Sequence, residues 1–518
     1  MSKRKTRFVW WSGVFMVTLL AGWTLLPASR TFTEKNAKAA FGELLTAEPT
    51  PVVQIQFPYN INTDIIEKRE NNLGTITQAD GMAVIQSGAS ANSAAHLLSR
   101  IPVKYNPGQG ASVPFTALFT AGAAGSIQVG GVAEVGDGLL FGFNGTAFSI
   151  LQRKAGGPEI QTLTITTGAV TATGDITINV DSVAKVVAVT SGDSVRQVAV
   201  KIADAAFNDT GLGWTTFVNN STIIFKAWSD GNKAGTFSLV DTDTTGTVGS
   251  FAETVAGAAT TLSWIAQTAW NKDKFDGTGS SGVTLDPTKG NVYKIQYQWL
   301  GFGDIDFSIE NPTTKELVLV HRIEYSNANI VPSLQNPTLP LHIMAKNTSN
   351  TTNLTVKTSS MAGFTEGRII EQSLLNSMEN DIANLGTTEL PILSIKNNVV
   401  HQVKINRVRV RPEFLSLATE STKPIVFRIK LNPTLTGTPA FTDVSAATSV
   451  VATDVAASGI TGGREFLTIV LGKTDSKLIA LHELDKALNP GDVISVTAQA
   501  TSGSNQEVDV SLTWAELF

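Results

Sequence analysis

At 518 residues the chain exceeds the roughly 250 to 300 residues over which one hydrophobic core usually grows, so two or three folded units are expected. Hydrophobic residues make up 42% and charged residues 16%, without long Glu/Lys/Leu/Ala-rich runs, a balance that favours β-structure over a helical bundle. The net charge of −5 leaves no basic stripe to neutralise phosphates, which disfavours a nucleic-acid partner, and the absence of cysteine excludes disulfides, thiolate metal sites and a cysteine nucleophile.

In chain order, residues 1–7 form a short basic tail and residues 8–29 an apolar run, FVWWSGVFMVTLLAGWTLLPAS, long enough to span a bilayer. Trp10, Trp11 and Trp23 sit near its ends, and Lys3, Arg4, Lys5 and Arg7 precede it, so the spacing predicts a transmembrane helix with a cytoplasmic or internal amino terminus. A cleavable signal peptide is the alternative, but the run is longer than the usual apolar region, and Arg30 stands where a small residue would suit cleavage. Residues 30–51 read as a linker: TEKNAKAAFGELLT can form a short amphipathic helix before the stiff junction Glu48-Pro49-Thr50-Pro51.

From residue 52 short apolar runs alternate with Gly, Asn, Asp and Pro, which predicts strands and turns of a β-sandwich over 52–365. Ile305, Phe307 and Ile309 alternate with Asp304, Asp306, Ser308 and Glu310, so one face is expected buried and one wet. Residues 158–260 read as a separate α+β module inserted in that sandwich, with FGFNGTAFSILQR and SWIAQTAW as the flanking host strands. Within it, Val195, Val198, Ala199, Ile202 and Ala206 have helical spacing, and Asp193 is placed to cap. Residues 366–389 are expected to be a helical linker, on the spacing of Ile370, Leu374, Met378, Ile382 and Leu385. Dense strand candidates over 390–518 predict a second sandwich, jelly-roll-like. The predicted fold class is therefore mainly β: two β-sandwich domains, an inserted α+β module and an N-terminal transmembrane helix.

The stretch WNKDKFDGTGSSGVTLDPTKGNVYKIQYQWLGFGDIDFSIENP, with VHRIEYSNANIVPSLQNPTLPL and NTSNTTN, resembles structural proteins of tailed phages and of large double-stranded DNA viruses of algae and protists. The resemblance covers about residues 264–358 and extends weakly to LLSRIPVKYNPGQG and DVSLTWAELF, while residues 158–260 look like a mobile module found in the same proteins. It implies a virion surface sandwich, in a minor capsid protein or a spike or fibre. It also implies a homo-oligomer packed against other capsid proteins, and residues 8–29 would then engage a lipid layer. A receptor- or glycan-binding adhesin, using a host-surface glycan through residues 390–518, is the alternative function. A carbohydrate-active enzyme is the second.

Motifs with chemical potential are few. Asp241-Thr242-Asp243-Thr244-Thr245-Gly246 opens like a calcium loop, but Ala252 stands where its bidentate Glu belongs, so a turn is expected. Gly472-Lys473-Thr474 lacks the first glycine of a phosphate loop and reads as a hairpin turn; Gly279-Ser280-Ser281-Gly282 misses the nucleophile-elbow spacing and reads as a loop. The five histidines, His96, His321, His342, His401 and His482, show no zinc spacing. Asp304, Asp306 and Glu310 offer carboxyls for glycoside hydrolysis, yet on one wet strand face they read as solvated. Trp270, Trp299, Phe302 and Trp514 are potential surface anchors whose simpler role is packing. Sequons at Asn144, Asn208, Asn219, Asn220, Asn347, Asn350 and Asn353 give opportunity for glycosylation. No catalytic, cofactor-binding or metal-binding residue is assigned; no cofactor and no enzymatic activity are expected.

Overall fold

Alternation along the chain becomes pairing across it. In the computed structural model, which describes residues 48–208, 213–369, 373–484 and 486–518, Ile305, Phe307 and Ile309 are buried while Asp306, Ser308 and Glu310 stand on the opposite face. Their strand pairs antiparallel with Asn291–Tyr297, setting Phe307 opposite Ile295 and Ile309 opposite Tyr293. These strands belong to a nine-stranded sheet.

A seven-stranded sheet faces it. Its order is Thr261–Ala266, Ala147–Lys154, Gly138–Asn144, Ser126–Ala133, Leu339–Asn347, Ala94–Val103 and Ile66–Asn71. One cluster of buried side chains draws on both sheets, which makes the pair a sandwich. Its centre is aromatic: the Phe141 ring lies 5.0 Å from Tyr293 and 5.3 Å, edge to face, from Phe307.

The expectation of one buried and one wet face fails for this second sheet. Gly138–Phe143 and Leu339–Ala345 are buried residue after residue. On the face away from the sandwich core, Val129, Ala133, Leu140, Leu151 and Met344 form a second apolar cluster. A strand covered on both sides has no reason to alternate, and LLFGF and LPLHIMA do not.

Residues 155–260 leave this sheet and return to it at adjacent points. Ala147–Lys154 pairs with Thr261–Ala266 in unbroken register, from Lys154 opposite Thr261 to Ser149 opposite Ala266. Between them lie a four-stranded sheet, a three-stranded sheet and the helix Val195–Ala203, with their own core of Leu163, Ile176, Ile178, Val198, Ile202, Phe207, Trp214 and Phe225. The cap stands one residue later than expected, at Ser194, and the helix begins at Val195. Ser194 accepts the Gln197 N–H, and the Gln197 side chain accepts the Ser194 N–H in return. Asp193 instead accepts from Thr190 N at 2.6 Å and pairs with Lys201 at 2.5 Å.

The helical linker over 366–389 is corrected: Leu374–Leu385 is a strand, paired along its length with Gln506–Leu517. Leu374, Met378 and Ile382 are four apart, and four is an even number. The spacing therefore satisfies one face of a strand as well as one turn of a helix, and the long partner strand decides. Met378 and Ile382 pack on the C-terminal core around Trp514, Phe427 and Val496.

This strand opens a set of eight: Leu374–Leu385, Leu390–Asn397, Arg409–Thr419, Ile425–Leu431, Arg464–Leu471, Asp475–Ala480, Val493–Ala500 and Gln506–Leu517. Counted in that order, one sheet runs first, eighth, third, sixth; the other runs second, seventh, fourth, fifth. That weave is a jelly roll. The turn Gly472-Lys473-Thr474 joins the fifth strand to the sixth and so crosses between the sheets, which corrects the hairpin expected there.

The expected transmembrane helix over 8–29 and the amphipathic helix over 33–46 lie outside the described residues. Among the described residues no helix is long and apolar enough to cross a membrane.

Candidate functional site

The sandwich, the inserted module and the jelly roll meet at one junction. Arg407 of the jelly roll donates through Nη1 to the carbonyls of Asn336 and Thr338 of the sandwich, at 3.1 and 3.2 Å. Lys396 Nζ reaches the Val218 carbonyl of the module at 3.2 Å, and Arg196 Nε of the module reaches the Leu435 carbonyl at 2.5 Å. Two clefts open on either side of Asn406 and Arg407.

The wider cleft has a volume of about 500 Å³. The sandwich contributes Glu67 and Glu134, the module Phe217, Lys226 and Trp228, and the jelly roll Asn406, Arg407 and Asn489. Trp228 is fixed by its own hairpin, donating Nε1 to Thr215 Oγ1 at 2.7 Å. Asn489 carries a buried Oδ1 without a hydrogen-bond donor among the described residues.

Charge in this cleft is organised by Arg69, whose side chain is 5% exposed. It pairs through Nε with Glu67 at 2.7 Å and through Nη1 with Glu134 at 3.1 Å. Burial pushes both carboxyls up, but the guanidinium between them outweighs it, and both are held below the usual carboxylate range. Burial lowers the Lys226 ammonium, with the charge of Glu134 working the other way.

Beside Arg69, on the same outer face of the seven-stranded sheet, the sheet joins two histidines that are 246 positions apart. His96 Nδ1 and His342 Nε2 are 3.2 Å apart, with the rings stacked at 9°. The register explains the meeting: His96 lies opposite Met344 and His342 opposite Leu98, so the two are diagonal neighbours on adjacent strands. Burial pushes His342 down to about 3, helped by the charges of Arg153 and Arg69, and burial likewise holds His96 well below the ordinary histidine value.

The narrower cleft, of about 360 Å³, lies between sandwich and jelly roll. One wall is the tight hairpin of Val400–His401 and Lys404–Ile405. Its two turn residues, Gln402 and Val403, both have positive φ, at 48° and 54°. For a β-branched residue this is a strained backbone, costing about 1–3 kcal/mol, and Val403 is 70% exposed at the tip. The base of the hairpin holds it there: Asn406 donates to Asn397 Oδ1 at 2.7 Å and to the Asn398 carbonyl at 2.6 Å.

Of the residues singled out from the sequence, His401 lines the narrower cleft and Asn208 the wider one, His96 and His342 stand beside Arg69, and those that follow lie elsewhere. Asp306 is not simply solvated: it receives Arg322 through Nε and Nη2 at 2.5 and 2.7 Å, while Asp304 accepts from Tyr325 N at 2.9 Å. His321 is buried and accepts from Asn271 N. Asp241 closes its own turn by accepting from Thr245 N and Gly246 N, both at 2.8 Å. The Gly279–Gly282 loop is pinned by buried Asp273, which accepts from Ser281 N at 2.7 Å. Trp270 and Trp514 are core residues and Trp299 packs against the core, whereas Phe302 is 39% exposed. Asn347 is fully buried, its amide donating to the carbonyls of Gly88 and Thr352, so that sequon is closed to a glycan. Among the described residues no three His, Asp or Glu side chains cluster as a metal site would require.

The cleft residues come from distant stretches of chain, and no local motif announces them. The one usable signal was the unbroken apolar run of the seven-stranded sheet, which implies a covered outer face.

No family model matches the sequence, and no curated protein matches it. Solved structures do match. One, from work on endo-acting O-glycanases by which gut microbiota initiate mucin breakdown, is 9% identical, with 61% of this chain and 99% of that one covered at a TM-score of 0.29. A glycosyl hydrolase family protein from Mycobacterium fortuitum gives 8%, 60%, 99% and 0.28 in the same order. A legume lectin-like domain from Entamoeba histolytica gives 9%, 61%, 98% and 0.24. TM-scores this low leave the chain's own geometry as the ground for any functional reading.

Proposed function

We propose that this protein is a surface-displayed β-protein that binds a hydroxyl-rich ligand, a glycan, in the wider cleft without turning it over. The observation that carries this reading is the make-up of that cleft. It has the size of a small-ligand site and brings the Trp228 and Phe217 rings beside the polar side chains of Lys226, Asn406 and Asn489. A sugar presents both apolar C–H faces and hydroxyl donors. On this reading the ligand sits at the junction and not within residues 390–518 alone.

Binding is favoured over hydrolysis by the state of two of the three carboxyls that line the cleft, Glu67 and Glu134, the third being Asp204. Glycoside cleavage generally needs one carboxyl kept protonated as the acid. Glu67 and Glu134 share Arg69, which keeps both ionised.

Display on a virion, anchored through residues 8–29 and packed against capsid partners or further copies of the chain, is supported by the sequence resemblance and the apolar N-terminal run. Jelly rolls serve both capsids and lectins, so the fold itself does not choose between these uses. The test is a glycan array probed with the protein, followed by titration of the best hit against Trp228→Ala and Asn489→Ala. Loss of about tenfold or more in affinity with Trp228→Ala is expected, since truncating an aromatic anchor typically removes 1.4 kcal/mol or more. Failure to bind any glycan, or binding indifferent to both variants, would overturn the reading.

A further inference from the structure

The inserted module presents a sheet edge without the usual guards. Its three-stranded sheet runs Val183–Val189, Gly174–Val180, Ser238–Asp241, so Val183–Val189 is one rim, and among the described residues no strand pairs with its outer side. The strand is held ready for pairing. It follows Gly174–Val180 in unbroken register through a two-residue turn, Asp181 and Ser182, whose positive φ values of 51° and 65° suit the twist of a hairpin. Sheet rims are usually blunted by proline, a bulge or charge. This one has no proline and no bulge, and its single charged residue, Lys185, alternates onto the face that carries the core residues Val187 and Val189.

The other face is apolar. Val186, 64% exposed, stands opposite Thr177, and Thr177 stands opposite Val240, while Ala184 and Ala188 flank Val186 on the rim and are exposed as well. The order of these side chains identifies the occupant. VAKVVAV reads almost the same in both directions, so a twofold axis through Val186 sets Val183 opposite Val189, Ala184 opposite Ala188 and Val186 opposite itself. Lys185 then faces Val187 of the second copy, and no two charges meet. The longer rim Leu374–Leu385 behaves in the reverse way: an axis through Asn380 sets Glu379 opposite Asp381 of the copy, and like charges directly opposite destabilise a pair.

We infer that Val183–Val189 is a self-complementary interaction surface whose partner is the same strand of a second copy, paired antiparallel about Val186 so that the two module sheets become one. The inference does not rest on the glycan reading, since no residue of this strand lines the wider cleft. The rim N–H and C=O groups supply the bonds and the alternate apolar side chains the contact. So short an edge buries less than a permanent interface does, and a micromolar dimer is expected.

The chain lacks cysteine, so one introduced thiol reports the register. Directly opposite residues of an antiparallel pair have Cα atoms about 4.5–5.5 Å apart, within reach of a disulfide. Under mild oxidation of the full chain in detergent, Val186→Cys is expected to give crosslinked dimers about tenfold faster, or more, than Val240→Cys, two strands in from the rim on the same face. Sedimentation equilibrium then tests the register by charge. Ala184→Lys with Ala188→Lys sets like charges opposite each other at two points and should weaken dimerisation about tenfold; Ala184→Lys with Ala188→Glu sets opposite charges there and should preserve it. All four positions are exposed in the single chain, and near-ultraviolet circular dichroism confirms folding. A chain monomeric at about 100 μM, equal crosslinking at the two positions, or equal behaviour of the two double variants would overturn the inference and leave the glycan reading standing.

Discussion

The two sheets of the sandwich bury their inner faces alike and treat their outer faces in opposite ways. On the nine-stranded sheet, Asp306 and Arg322 meet in an ion pair that water still reaches. On the seven-stranded sheet, Arg69, Glu67, Glu134, His96 and His342 sit beside an apolar floor of Leu140, Val129 and Met344. The same architecture thus yields a wet surface and an internal interface. The difference lies in what is packed outside the sheet, and it turns side chains of similar type into groups of very different energetic consequence.

The sharpest way to break this comparison is to remove one arginine from each face. Arg69→Ala leaves two partly buried carboxylates, Glu134 at 11% and Glu67 at 29% side-chain exposure, without their shared partner and is expected to cost about 3 kcal/mol in urea unfolding. Arg322→Ala, on the wet face, is expected to cost about 1 kcal/mol or less. Equal costs would mean that both faces are effectively solvated.

Lys396 extends the comparison to the contact between jelly roll and module. It is 1% exposed, lies over the Phe441 ring at 5.5 Å, and burial pushes it down to about 7, with Arg196 adding to the shift and Asp443 opposing it. Above pH 7 the unfolded chain binds a proton that the folded one has released, so stability should rise between about pH 7 and 10, by about 1.4 kcal/mol per unit. Lys396→Met should flatten that rise and raise Tm at neutral pH; an unchanged slope would show that water enters this interface.

The histidines act in the acid range with the same sign. Their folded values lie below that of a free histidine, so from about pH 6.5 downward the unfolded state takes up protons that the native pair refuses. His342 alone should cost up to about 1.4 kcal/mol for each unit of acidification in that range. Between pH 6.5 and 4.5 the carboxylates held by Arg69 are still ionised, so this window reports on the histidines. His342→Gln should reduce the slope there, as read by denaturant midpoints against pH.

The smallest effect concerns the module's helix. Ser194→Ala should remove the cap and cost about 1 kcal/mol, checked by Tm. A larger loss with Asp193→Ala would reverse the assignment of the cap.

Much of the fold was legible because water writes it into the sequence. Ile305 to Glu310 alternates since one side of its sheet is wet, and residues 158–260 stood out through their own strand and helix periods. The strand at 374–385 was misread because a spacing of four does not distinguish two periods when both faces are partly open. The clefts were not legible at all. His96 and His342 are adjacent only through sheet register, and the junction draws Glu67, Trp228 and Arg407 from three cores, so no window of sequence contains the site.

The pairing of Ala147–Lys154 with Thr261–Ala266 has a mechanical consequence. The module is tethered at the Lys154 and Thr261 ends of an antiparallel pair, and the returning strand is the rim of its sheet. A pull on the module therefore loads those bonds one after another from a single end, like a zip, and does not shear them together. Under tension the module should peel the rim strand away at low force while the rest of the sandwich stays shut.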